Sequence, residues 1–97
     1  MSAIEITGAG EAGTKPAPAE YFTGTVWQEP IATVAGGPAL HALRVSFAPG
    51  ARTNWHTHPL GQTLHVLSGI GLVQARGGPA RLIREGDTVR IPAGVEH

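Results

Sequence analysis

Glycine and proline recur so closely along this chain that they limit the length of any regular element. Fourteen glycines and eight prolines are spread over 97 residues. Glycine weakens the interior of a helix and proline breaks it, whereas short strands joined by tight turns tolerate this spacing. The sequence therefore predicts an all-β protein of about seven short strands with no helix, as in a sandwich or a barrel.

Alternating apolar and polar side chains place strands between these turns. The N-terminal 1–20 segment is expected to contain one short edge strand, at residues 2–7, followed by a flexible and exposed arm. Residues 21–97 are expected to form the barrel, with a turn at Gly36-Gly37-Pro38. The other strands that the alternation predicts lie at residues 39–48, 70–76, 80–84 and 87–91.

Charge and composition exclude several classes of partner and site. The formal net charge is zero, so neither a nucleic acid nor an anionic membrane surface is expected as a partner. The chain contains no cysteine, which excludes disulfides and thiolate metal sites and fits a cytoplasmic protein. No apolar run reaches the roughly 20 residues that a spanning helix needs.

The chemically richest stretch runs from Gly50 to Gly69. His56 and His58 are two residues apart, so in an extended strand their side chains point to the same face. Pro59-Leu60-Gly61 is a typical turn sequence, after which Gln62 opens a second strand. The sequence therefore predicts a hairpin that offers two imidazoles and one amide oxygen to a divalent metal.

A second pattern lies near the C-terminus, where Gly86, Pro92 and Gly94 precede His97. Gly-Pro turns are common in β proteins, so this pattern is weak evidence by itself. Together with the first pattern it predicts a fourth ligand, His97, supplied by a neighbouring strand.

The two patterns, G-x5-H-x-H-x3-Q-x6-G and G-x5-P-x-G-x2-H, resemble the two conserved motifs of the cupin superfamily. The resemblance implies a double-stranded β-helix, or jelly-roll barrel. Two stretches, FTGTV at residues 22–26 and APGARTNWHTHPLGQTL at residues 48–64, are similar to the small bacterial manganese-dependent cupin hydroxynitrile lyases. Most cupins have glutamate where this chain has Gln62, and the lyase group has glutamine there.

The resemblance implies that His56, His58, Gln62 and His97 bind a metal, manganese in the lyases. All four ligands are neutral, so the metal would keep its full +2 charge and act as a strong Lewis acid. The ligand types alone are compatible with Mn, Fe, Ni, Cu or Zn.

Further residues are candidates for the substrate site. Thr53 matches a pocket threonine of the lyases, where its hydroxyl would contact a substrate oxygen; an ordinary strand threonine is an equally good interpretation. Leu43, Val45 and Phe47 alternate along one strand and are expected to line the cavity.

The remaining histidines and arginines are interpreted as non-ligands. His65 alternates with Gln62 and should point away from the metal, and His41 is interpreted as structural or surface-exposed. Four arginines are interpreted as solvated or interface charges: Arg44, Arg76, Arg81 and Arg84.

The resemblance of Gln62 and the FTGTV stretch to the hydroxynitrile lyases implies a lyase that cleaves a cyanohydrin to an aldehyde or ketone and hydrogen cyanide. A metal-dependent dioxygenase and a non-catalytic cupin that binds a small molecule are the alternatives. Cupins of this kind continue for further strands after the last ligand, and the lyases place a general-base histidine there, so this chain is expected to lack the last strands of its barrel. By analogy with small cupins we expect a homodimer or homotetramer.

Overall fold

Every regular element that the structure describes is a β-strand. The computed structural model describes residues 4–33 and 40–97, and within these ranges it contains nine strands and no helix. None of the described residues belongs to a helix long and apolar enough to cross a membrane. The all-β prediction is therefore confirmed. The contacts divide the chain into two compact units, with the boundary between Asn54 and Trp55.

The described residues of the first unit form five strands. The long antiparallel pair β3 (Val26–Thr33) and β4 (His41–Phe47) forms its centre, and β1 (Lys15–Pro16) adds to the other edge of β3. The register between β3 and β4 shifts between Pro30 and Ala32, where proline lacks the N–H that a regular ladder requires. A separate short pair joins β2 (Phe22–Thr23) to β5 (Arg52–Thr53).

The second unit consists of two antiparallel pairs. β6 (Gln62–His65) pairs with β9 (Thr88–Ile91), and β7 (Ile70–Val73) pairs with β8 (Arg81–Arg84). The β6–β9 register places Gln62 opposite Ile91. This pairing brings the end of the first sequence pattern beside the second.

The fully buried apolar core is small. Val26 and Ile91 are the buried hydrophobic side chains among the described residues, with exposed fractions of 4% and 5%. By contrast, Ile70 and Leu72 on one face of β7 are 74% and 70% exposed. Many apolar side chains of the strands are thus exposed to solvent rather than packed in a core.

The predicted edge strand at residues 2–7 is not present in the described part of that segment. Residues 4–7 have no regular structure, and residues 2 and 3 lie outside the described residues. The expected arm is largely exposed as predicted, but Lys15–Pro16 forms β1 against Gln28 and Trp27 of β3. A two-residue strand is too short to show an alternating pattern, which is why the sequence did not reveal it. The expected turn at residues 36–38 also lies outside the described residues.

Candidate metal centre

His56 and His97 are held together by a reciprocal pair of backbone hydrogen bonds. The His56 N–H donates to the His97 carbonyl at 3.1 Å, and the His97 N–H donates to the His56 carbonyl at 3.0 Å. Two residues that exchange both bonds in this way lie directly opposite each other on antiparallel segments. Residues 41 positions apart in the sequence therefore become neighbours.

The turn after His58 joins the two sequence patterns. Pro59 and Leu60 form the turn, and Gly61 donates its N–H to the His58 carbonyl at 3.2 Å. Gly94 of the second pattern donates to the same carbonyl at 3.1 Å. Contrary to the prediction, His56 and His58 lie on irregular chain between β5 and β6 rather than in a strand. Gln62 opens β6 as expected.

The three imidazoles converge. His56, His58 and His97 each offer one ring nitrogen, and these nitrogens all lie within 4.8 Å of one another. Ring centroids are 4.8 Å apart for His56 and His58, and 4.2 Å apart for His56 and His97. The spacing permits all three rings to bind a single ion, as the sequence predicted.

Gln62 joins the same cluster through His97. Its Oε1 lies 3.1 Å from Nε2 of His97, and Nδ1 of His97 lies 2.9 Å from the Val95 carbonyl oxygen. A carbonyl only accepts hydrogen bonds, so the neutral His97 ring donates from Nδ1 and presents the Nε2 lone pair. In this tautomer, Nε2 of His97 and Oε1 of Gln62 are close enough to serve as adjacent ligands of one cation. The bond from Nδ1 to a backbone carbonyl is also typical of metal-binding histidines.

His58 gives independent evidence for a metal-binding role of this cluster. Its Nε2 is buried and forms no hydrogen bond within the described part of the chain. A buried polar atom without a partner is costly, and a metal ligand is one of the few roles that satisfies it. Burial lowers the pKa of His58, and the neighbouring His56 and His97 rings lower it further, while the Gln62 side chain partly opposes this shift. The neutral, metal-binding form of His58 is thereby favoured.

We expect the metal-free protein to lose stability on acidification because of His58. Its pKa is lowered on folding, so below the ordinary value of 6.5 the unfolded chain binds the proton more readily than the folded one. The free energy of unfolding should therefore fall as the pH decreases through 6.5 towards the folded-state pKa. Urea unfolding at several pH values measures this slope. His58→Gln should reduce the slope, and an unchanged slope would contradict the expectation.

The other two histidines lie apart from this cluster. His65 is exposed on β6, and its Nδ1 lies 2.9 Å from the Thr88 hydroxyl oxygen. His41 is exposed at the start of β4. Neither belongs to the three-histidine group. The alternation of side chains in a strand predicted this for His65, and His41 was interpreted as structural or surface-exposed although alternation alone would have let it face inward.

The predicted substrate residues lie in the first unit. Thr53 is half-buried on β5 and pairs with Phe22 of β2. Leu43, Val45 and Phe47 alternate on β4 and are exposed by 48%, 36% and 48%. Their role in binding a substrate remains a prediction.

Known proteins share both the fold and the sequence patterns. The family profile described as "Cupin domain" matches residues 43–97, more than half of the chain. An (R)-mandelonitrile lyase of Granulicella tundricola is 47% identical over 95 residues, which are 97% of this chain and 72% of that protein.

A solved structure also matches this chain in fold and sequence. A cupin-like protein from Thermotoga maritima superposes with a TM-score of 0.75 at 40% sequence identity. The match covers 84% of this chain but only 62% of that structure, so the chain spans less than two thirds of its length. The two histidine patterns, the all-β architecture and these matches together show that the chain belongs to the cupin superfamily.

Proposed function

We propose that this cupin is a metal-dependent lyase of hydroxynitrile type, which cleaves a cyanohydrin to an aldehyde or ketone and hydrogen cyanide. The observation that carries the proposal is the 47% identity to an (R)-mandelonitrile lyase across almost the whole chain. The convergent histidines, which such a lyase would need for a metal, support it independently of that match.

The metal would be held by His56, His58, His97 and the Gln62 amide. We propose manganese as the resident ion, with Fe, Zn and Ni as alternatives that the same donors accept. When bound, the ion would supply Lewis acidity with its full +2 charge, because all four donors are neutral. Two features support metal binding here: the 3.1 Å distance between Gln62 Oε1 and His97 Nε2, and the buried His58 Nε2 that has no hydrogen-bond partner among the described residues.

The reaction itself requires two proton transfers and the cleavage of one carbon–carbon bond. The cyanohydrin loses its hydroxyl proton to a base, the carbon–oxygen bond becomes a carbonyl, and the C–CN electron pair leaves with cyanide. Cyanide then takes up a proton to give hydrogen cyanide, so atoms and charges balance. We propose that the Thr53 hydroxyl hydrogen-bonds the substrate oxygen and that Leu43, Val45 and Phe47 contact the apolar part of the substrate.

Steady release of benzaldehyde from mandelonitrile by the manganese-loaded protein tests this function. Turnover above the buffer rate, lost on chelation and restored by manganese, would support it. The same preparation in an oxygen electrode tests the dioxygenase alternative. Retention of mandelonitrile without turnover or oxygen uptake would instead support the non-catalytic binding alternative and contradict the lyase proposal.

Thr53→Val separates a role in the reaction from a role in the strand. Valine keeps the β-branched shape and removes the hydroxyl, so the β2–β5 pair should persist. We expect turnover of mandelonitrile to fall about a hundredfold to a thousandfold, as for loss of one hydrogen bond to the reacting oxygen, while the manganese content is unchanged. Unchanged turnover would assign Thr53 a purely structural role.

We also propose that the protein is a homodimer or homotetramer. Ile70 and Leu72 on β7 and Leu82 on the paired strand β8 are 74%, 70% and 53% exposed, and apolar side chains left in water favour association between subunits. Light scattering coupled to size-exclusion chromatography measures the mass in solution. A mass two or four times that of the chain is expected, and a strictly monomeric protein at micromolar concentration would contradict the proposal.

A further inference from the structure

The segment that carries His97 lies between two other parts of the chain. On one side it exchanges both backbone hydrogen bonds with His56. On the other side, the Glu96 carbonyl accepts a hydrogen bond from the Arg76 N–H at 2.8 Å. The position of His97 relative to His56 therefore depends on a third segment, which contributes no candidate ligand.

The Arg76 side chain contacts both of the other segments. Its Nε lies 3.4 Å from Oε1 of Glu96, the residue before His97. Its guanidinium carbon also lies 5.1 Å from the centre of the Trp55 ring, the residue before His56. One planar cation thus forms an ion pair with one histidine-bearing segment and a cation–π contact with the other.

We infer that Arg76 is a positioning residue of the metal centre, which holds the His97 segment against the His56 segment without touching the ion. This inference rests on the proposed metal-dependent function. From the sequence, Arg76 was interpreted as a solvated or interface charge. No local pattern distinguishes it from Arg81, because its partners Trp55 and Glu96 lie 21 residues before it and 20 residues after it.

The size of the effect follows from the exposure of the contacts. The side chains of Arg76 and Glu96 are 58% and 46% exposed, so water and salt screen their ion pair. The ion pair with Glu96 and the contact with Trp55 are therefore each weak, but both hold the His97 segment close to the His56 segment. Residues that orient metal ligands typically change metal affinity by about tenfold to a hundredfold, and we expect the lower end here.

Manganese affinity of the full chain gives the first test. Arg76→Met keeps the apolar stem of the side chain and removes the guanidinium, and we expect a dissociation constant about tenfold weaker than that of the wild type. Arg76→Lys keeps the charge but not the planar group, and should lie between the two. Arg81→Met is the matched control, because Arg81 is an exposed arginine on β8 of the same unit.

Salt dependence distinguishes positioning by charge from loss of packing. The ratio of the two dissociation constants, Arg76→Met over wild type, should decrease between 0.1 M and 1 M sodium chloride because salt screens the exposed ion pair. Equal affinities of wild type and Arg76→Met for manganese, within twofold, would overturn the inference while leaving the proposed metal site intact.

Amide hydrogen exchange in the metal-free protein tests the inference separately from metal binding. We expect the His56 and His97 amides to exchange about tenfold faster in Arg76→Met, because the two segments separate more often. The Val66 amide, which donates to the Asp87 carbonyl at 2.9 Å, is the internal reference and should keep its rate. Unchanged exchange at His56 and His97 would overturn the inference, whereas a wild type that binds no manganese would overturn the proposed function.

Discussion

Replacing His58 with alanine is expected to remove the metal and, with it, the lyase activity. The change deletes one of three ring nitrogens that lie within 4.8 Å of one another, and it leaves two imidazoles and one amide. It also removes the buried Nε2 that has no hydrogen-bond partner within residues 4–33 and 40–97. Metal analysis of the purified variant and its turnover of mandelonitrile measure the two effects.

The expected size of this effect is large. Structural Zn²⁺ sites in zinc-finger peptides bind with about 10–16 kcal/mol, which is about 3 kcal/mol for each of four ligands, and we expect a loss of similar size for His58. Such a loss weakens metal affinity by about a hundredfold or more. An ion that binds moderately tightly to the wild type would then be lost during purification, and activity should fall to the buffer rate.

His65→Ala is the matched control for this experiment. It removes the same chemical group from the same unit, but His65 is exposed and contacts Thr88 rather than the cluster. We expect its metal content and turnover to equal those of the wild type. If His58→Ala retained metal as well as His65→Ala does, the three-histidine site would not be the metal centre. Because removal of a buried unpaired nitrogen relieves a desolvation cost, the metal-free His58→Ala protein should remain folded.

Replacing Gly61 with alanine is expected to cause the largest loss of stability. Gly61 has a φ angle of +82°, where a side chain costs about 1–2 kcal/mol. An added Cβ would also lie 2.8 Å from the Ile91 carbonyl oxygen and 3.2 Å from the Ala93 nitrogen. Both are backbone atoms that cannot rotate away, so relief requires a shift of the chain that costs about 1–3 kcal/mol more.

The total, about 2–5 kcal/mol, is a large part of the 5–15 kcal/mol that stabilises a typical domain. Because Gly61 lies between His58 and Gln62, the same shift should also weaken manganese binding. Chemical denaturation measures the first effect and titration with manganese the second.

Gly77→Ala separates conformational strain from the steric clash. Gly77 also has a positive φ angle, +86°, but a Cβ there would meet no atom of the described residues within 4 Å. We expect Gly77→Ala to lose only about 1–2 kcal/mol and to bind manganese normally. If the two substitutions destabilised the protein equally, the steric clash with the Ile91 carbonyl would not be the reason for glycine at position 61.

Much of the fold followed from local patterns. The strands predicted at residues 70–76, 80–84 and 87–91 correspond to β7, β8 and β9, with ends that differ by a few residues. The predicted strand at residues 39–48 corresponds to β4, within its described part. Alternation predicts such strands because side chains of a half-buried sheet face two different environments. The two-residue strands β1, β2 and β5 have no such period and arise only from pairing with distant partners.

The sequence by itself determined which residues could form the metal site, because histidine, glutamine and glycine occur at a spacing that ordinary packing does not require. Only the tertiary structure decided how His56 and His58 are supported, by bonds to His97, Gly61 and Gly94 rather than by a regular strand. It also decided that an arginine with no local signal bridges the segments carrying His56 and His97. The physical reason is that ligand chemistry belongs to individual side chains, whereas support and positioning come from contacts between segments far apart in the chain.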